Sequence, residues 1–167
     1  MRTLIKDIII ILFAVVATAL VFKPTIVKQH SMEPTLHENN YLFVNKLAYV
    51  AKSHPDYKDI IVFKSDDGTG EKMYIKRVIG VENDVITITS GKVYRNGEQL
   101  KEPYILENFT VGKINRYVVP EDEVFVMGDN RSISIDSRNS IIGSIKEDDI
   151  VGKAFFRLYP FNEMDVL

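Results

Sequence analysis

From Ile8 to Phe22 the chain reads IIIILFAVVATALVF, uncharged and without a polar stripe at helical period, and beyond Pro24 that pattern stops. A segment apolar on all sides needs lipid or complete burial around it. At about 15 residues it is shorter than the ~20 that cross a bilayer comfortably. Leu4 and Ile5 extend the apolar surface, and Lys6 and Lys23 can lift their ammonium groups to the interface on flexible stems. A cleaved secretory signal is the competing reading, with Arg2 and Lys6 as basic n-region and Ala17-Thr18-Ala19 as a small-x-small cleavage site. Leu20, Val21 and Phe22 continue the apolar run past that cut, which favours a retained anchor. Charge leaves the orientation open, since Arg2 and Lys6 on one side are matched by Lys23 and Lys28 on the other.

After Pro24, short alternating or apolar runs are separated by turn residues, the pattern of a mainly β domain. The expected strands are Tyr41–Val44, Ile60–Phe63, Met73–Val81, Val85–Thr89, Lys92–Tyr94, Val124–Met127 and Val151–Arg157. Ser90-Gly91 and Asn96-Gly97 mark tight hairpins, because these residues accept positive φ readily. Asp66–Gly70 reads as a polar loop, and Leu47–Lys52 as a short helix ended before His54-Pro55. A chain of 167 residues leaves one catalytic domain of ordinary size after the anchor. Its net charge of −2 comes from interspersed acids and bases, without the basic face that phosphate backbones require, so nucleic acid is not an expected partner. There is no cysteine, which excludes disulfides and thiolate metal sites.

Three segments carry residues able to do chemistry. Ser31-Met32-Glu33-Pro34-Thr35-Leu36 follows the apolar run, and Pro34 blocks helix there, so Ser31 is expected on exposed, stiffened backbone. Taken alone it reads as a solvated loop serine. In Met73-Tyr74-Ile75-Lys76-Arg77-Val78-Ile79-Gly80, a period of two puts Tyr74, Lys76 and Val78 on one face, and Met73, Ile75, Arg77 and Ile79 on the other. An edge strand whose cations snorkel to water would also produce this pattern. A lysine held among apolar groups, however, loses hydration, and its pKa falls towards the range in which the amine accepts a proton and activates a serine. Arg77 has no such escape and needs an acid from elsewhere in the fold. The run from Gly128 to Arg138, GDNRSISIDSR, has the composition of a surface turn, yet holds both acids for an arginine and hydroxyls for an amine.

SMEPTL, YIKRVIG and GDNRSISIDSR, in this order after an apolar segment, resemble the signature boxes of bacterial type I signal peptidases, in their smaller Gram-positive form. The resemblance implies a short cytoplasmic N-terminus at residues 1–7, a single transmembrane anchor at 8–23 and an extracytoplasmic antiparallel β catalytic domain at 24–167, with residues 80–120 as a smaller β insertion. It implies Ser31 as nucleophile, Lys76 as general base and Ser134 as the hydroxyl that orients the amine. Arg77, Asp129, Arg131, Asp136 and Arg138 match charged positions that brace such a site. The implied reaction needs neither metal nor organic cofactor. Its substrates would be secretory precursors with Ala-x-Ala-like cleavage sites, met beside membrane lipid and the translocation machinery. Two positions depart from the family pattern. Gln29 stands where glycine or serine is usual, at a position that helps form the oxyanion hole in some relatives, and its side-chain amide is the available substitute. Lys58 precedes Asp59 where glycine is usual, a change expected to alter a turn.

A Ser-His-Asp triad is the main catalytic competitor. His30 adjoins Ser31 and would point to the opposite face of extended chain, while His37 and His54 sit in polar loops. These histidines lack metal-ligand spacing. No serine is followed three residues later by lysine, which excludes the penicillin-binding type. A soluble self-cleaving repressor shares the Ser/Lys logic but does not explain the apolar N-terminus. A non-catalytic signal-peptidase-like factor in pilus assembly is the reading from a different functional class.

Overall fold

The computed structural model describes residues 2–50 and 53–167. Helix α1 (Arg2–Val21) leads into an edge strand, β1 (Phe22–Ile26), which pairs antiparallel with β2 (Tyr41–Asn45). Next come β3 (Ile60–Asp66) and β4 (Glu71–Gly80), then β5 (Val85–Thr89), β6 (Lys92–Arg95), β7 (Glu98–Gln99) and β8 (Ile114–Val118). The chain closes with β9 (Glu123–Met127), β10 (Ile145–Lys146), β11 (Ile150–Tyr159) and β12 (Asp165–Val166). The larger sheet has the order β1-β2-β11-β3-β4-β9-β10, with β12 beside β11, and the smaller one the order β7-β6-β5-β8. Every pairing is antiparallel. The fold is thus mainly antiparallel β, as the alternating runs imply.

Hydrophobic burial accounts for the layering. Val27, Met32, Leu36, Leu42, Val44 and Ile60 pack on one side of the large sheet, while Ile61, Phe63, Tyr74, Val78, Val124 and Val126 pack on the other. A third cluster joins the sheets, with Ile86, Ile88 and Val93 of the small sheet meeting Ile79, Phe125 and Met127 of the large one. Strand β4 pairs with β3 over residues 71–77 but with β9 only from Arg77 onward, so Arg77 is flanked by strands on both sides while residues 71–75 form an open edge. Both hairpins of the small sheet turn where expected, with Ser90, Gly91, Asn96 and Gly97 all at positive φ.

Two expectations are corrected and one strand, β8, is found that the alternation did not mark. The helix stops at Val21, and residues 22 and 23, assigned to the anchor by sequence, belong to β1. Pro24 is accommodated because an edge strand tolerates a missing N–H. Residues 46–49 form a turn in place of the expected helix, and Ala51-Lys52 lie outside the described residues. Strand β8 has no alternating apolar signal, since it reads Ile-Asn-Arg-Tyr-Val and holds Arg116 at φ 56°. Among the described residues no helix is long and apolar enough to cross a membrane. In α1 the apolar side chains Leu4, Ile5 and Ile8 to Phe13 are between 50 and 74% exposed, while Val21, at the junction with β1, is half-buried.

Candidate active site

The loop between β1 and β2 is pinned at its base, where Val27 donates to the Asn40 carbonyl at 2.9 Å and Asn39 to that of Val27 at 2.8 Å. Its tip is pinned by apolar anchors. Met32 and Leu36 are fully buried and close a turn in which the Leu36 N–H meets the Met32 carbonyl at 2.9 Å. Held between these contacts, Ser31 is only 8% exposed, which corrects the exposed position expected from sequence. Across from it, Lys76 on β4 is 1% exposed, and its Nζ lies 2.7 Å from Ser31 Oγ and 3.1 Å from the Ile75 carbonyl. Burial lowers the Lys76 pKa to about 8, against the opposing pull of Asp136 and Asp129. A neutral amine in contact with a serine hydroxyl is the arrangement that base-assisted nucleophilic attack requires.

Arg77, the next residue, is built in the opposite way. Its Nε and Nη2 donate to the two carboxylate oxygens of Asp129 at 2.9 and 2.7 Å, its Nη1 reaches the Lys58 carbonyl, and its guanidinium lies over the Tyr104 ring at 4.2 Å. The Thr35 hydroxyl donates to Asp129 at 2.5 Å, tying the serine loop to the same pair. Asp136 and Arg138 form a second bidentate pair, at 2.8 and 2.9 Å. Burial raises the Asp136 pKa, but the Arg138 guanidinium outweighs it and holds the carboxyl below its ordinary value. Arg131 is fully buried and grips the Gly128 carbonyl, Thr110 and Glu102. The structure therefore brings all five sequence-selected bracing residues into one buried network around Gly128–Arg138.

Gly128 sits where two backbones nearly touch. A Cβ there would lie 2.3 Å from both the Ser31 carbonyl oxygen and Ser134 Oγ, and Asn130 N–H donates to that same carbonyl at 3.1 Å. Ser134 thus stands beside the serine loop, but its buried hydroxyl makes no bond to the Lys76 amine, contrary to the expectation from the resemblance, and the charged group it favours is the Asp136 carboxylate. Gln29 is exposed and lines, with Ser31, a groove of about 560 Å³ between the β1 region and β4. The histidines are engaged elsewhere, His30 and His37 with Glu33 and His54 with Glu147, all on the surface.

Sequence reasoning missed Thr35, Tyr104, Glu102 and Thr110. The last three come from the polar stretch after Asn96-Gly97, where nothing distinguishes a buried partner from a solvated loop residue. Glu102 lies 29 positions before the arginine that it holds. Thr35 sits inside the serine box, and only Asp129, 94 residues away, makes it a brace.

Comparison with known proteins identifies the family of the sequence. The family model described as signal peptidase, peptidase S26, matches residues 1–159. The chain belongs to that family and is accordingly a peptidase, a hydrolase of peptide bonds, as its motif boxes suggest. Among its relatives, signal peptidase I of Bacillus amyloliquefaciens is 36% identical over 168 residues, covering 94% of this chain and 86% of that protein. Signal peptidase I T of Bacillus subtilis (strain 168) is likewise 36% identical, covering 94% and 84%. A crystal structure of a signal peptidase I from Enterococcus faecalis V583 aligns with a TM-score of 0.49 at 29% identity, covering 60% of this chain and 96% of that one. These names lend no support to the pilus-assembly reading.

Proposed function

We propose that this protein is a membrane-anchored serine endopeptidase that removes signal peptides from exported precursors by a Ser31/Lys76 dyad. The observation that carries this reading is the 2.7 Å contact between a buried lysine amine and a serine hydroxyl at the end of a groove. With its pKa near 8, a sizeable fraction of Lys76 is uncharged at neutral pH, where a free lysine would be almost wholly protonated. The neutral amine takes the Ser31 proton as Oγ attacks the scissile carbonyl. The resulting ammonium protonates the departing amine, and an acyl-enzyme is left on Ser31. The same amine then activates the water that releases the acyl group. Charge on the carbonyl oxygen is met by the Ser31 backbone N–H and the Gln29 side-chain amide, and Ser134 keeps the amine in line as substrate closes the groove. The Asp129 and Asp136 pairs hold the Ser31 loop against β4, together with Arg77, Arg131 and Arg138.

The anchor lies within α1, with residues 1–7 cytoplasmic and the β domain, including its 80–120 insertion, on the extracytoplasmic face. The exposed apolar side chains of α1 support this, because a helix apolar all round requires lipid or partner helices about it. The substrates are then precursors with Ala-x-Ala-like sites, presented at the membrane by the translocation machinery. The decisive test is incubation of the full chain with such a precursor. Cleavage at the Ala-x-Ala site that disappears in Ser31→Ala is the expected result, and equal cleavage by Ser31→Ala overturns the reading.

A further inference from the structure

The groove that ends at Ser31 is lopsided in charge. Its titratable lining, Tyr74 aside, is Lys23, Lys28 and Lys72, and no carboxylate lines it. Lys72 is already neutralised, because its Nζ donates to Asp67 at 2.9 Å, and Asp67 also accepts from the Tyr74 hydroxyl. Glu33, next to the serine loop, is taken by His30 and His37. Among the described residues, the ammonium groups of Lys23 and Lys28 have no acid at ion-pair distance. Lys23, on β1, reaches over to β4, where its Nζ meets the sulfur of Met73 at 3.8 Å, a weak acceptor for a full charge. Lys28 is exposed and lines the same groove as Lys23 and Ser31.

A peptide laid in this groove meets Lys23 and Lys28 as well as Ser31, since all three line it. The rest of the wall is largely apolar, with Ile26, Val27, Met32, Val62 and Ile75 shaping it. Within such a wall a single carboxylate on the substrate is the group that both ammoniums lack, and a substrate lysine there would be repelled.

We infer that Lys23 and Lys28 make this groove selective for precursors that carry an acidic side chain close to the scissile bond. This rests on the peptidase reading above and narrows its substrate class. It also separates specificity from chemistry, since neither lysine touches the reacting atoms.

The test uses synthetic Ala-x-Ala precursor peptides in which one residue, at each of the eight positions on either side of the site, is Glu, Gln or Lys. Binding is measured on full-length Ser31→Ala protein in phosphatidylcholine vesicles, and kcat/KM on the wild type. Glu should exceed Gln by about threefold to tenfold at one or two positions at low salt, Lys should fall below Gln, and the preference should vanish in Lys23→Gln/Lys28→Gln. Equal binding of Glu and Gln peptides at every position overturns the inference, as does a Glu preference that survives the double substitution. A double variant that loses affinity for phosphatidylglycerol vesicles, with no peptide preference in either protein, would assign the lysines to lipid headgroups and equally overturn it. Absence of cleavage by the wild type would instead sink the peptidase reading, while the Ser31→Ala binding series still decides the question of charge.

Discussion

The two faces of β4 treat a buried cation in opposite ways. On one, Lys76 has lost its water and touches a hydroxyl and a carbonyl, with no carboxylate at ion-pair distance among the described residues, so its charged form is penalised and its pKa falls. On the other, one residue along, Arg77 is gripped by both oxygens of Asp129 and stays charged. Burial without a counter-ion makes a base, and burial with one makes a brace. The difference lies in the partners, since exposure is under a tenth for both residues.

Exchanging the two chemistries should have the largest effect. Lys76→Arg keeps a cation that cannot deprotonate, and we expect precursor cleavage to fall by about 10³-fold or more, as with Ser31→Ala, while the far-ultraviolet circular dichroism is unchanged. A folded Lys76→Arg enzyme within tenfold of wild type would end the distinction between base and brace.

On the bracing face, Asp129→Ala leaves Arg77 charged, buried and unpaired, and should cost about 3–5 kcal/mol in denaturant unfolding. Asp129→Leu combined with Arg77→Met should recover much of that loss. A double variant no better than the single would mean that the geometry of the pair, rather than its charge balance, holds the loop. Glu102→Ala repeats the experiment from the loop between β7 and β8, where the carboxylate neutralises Arg131. A drop of comparable size is expected, with kcat falling as Gly128 and the Ser31 carbonyl lose their support.

The pH dependence separates the faces further. Activity should rise about tenfold per pH unit below the Lys76 pKa near 8 and level off above it. Stability responds in the same direction. Between about pH 8 and ~10.4 the unfolded lysine still binds a proton that the folded one has released, so the unfolded state holds more protons and stability rises with pH across that window. Lys76→Met should remove that slope, whereas Arg77→Met should not. An unchanged slope in Lys76→Met would place the titration elsewhere.

The smallest effect concerns the turn that offers its carbonyl to Arg77. Lys58 holds φ 77°, a conformation that L side chains resist and glycine adopts freely, which gives a physical meaning to the departure noted at this position. Lys58→Gly should raise the unfolding free energy by about 1 kcal/mol with activity unchanged. A loss of stability would mean that the contact of the Lys58 ammonium with the Tyr57 ring outweighs the strain.

Period-two alternation located most of the large sheet, and the order of three short boxes singled out residues that the fold brings together, because both depend on local backbone geometry and side-chain identity. Ser90-Gly91 and Asn96-Gly97 were legible for the same reason, since positive φ is a property of single residues. What remained hidden were relations between distant segments. The sequence showed that Arg77 must find an acid, but only the antiparallel pairing of β4 with β9, which sets Arg77 opposite Met127, decided that the acid is Asp129 and not Asp136. It marked Ser31 as exposed, whereas packing of Met32 and Leu36 into the core drew the serine inside. It left Glu102 among loop residues, where it does lie, because the reason for its burial is an arginine in a distant turn. Residue types and local pattern thus determined which groups were available and where strands would form. Which charges were left bare and which were matched was decided by tertiary contacts, since a pKa and an ion pair depend on what surrounds a group rather than on its neighbours along the chain.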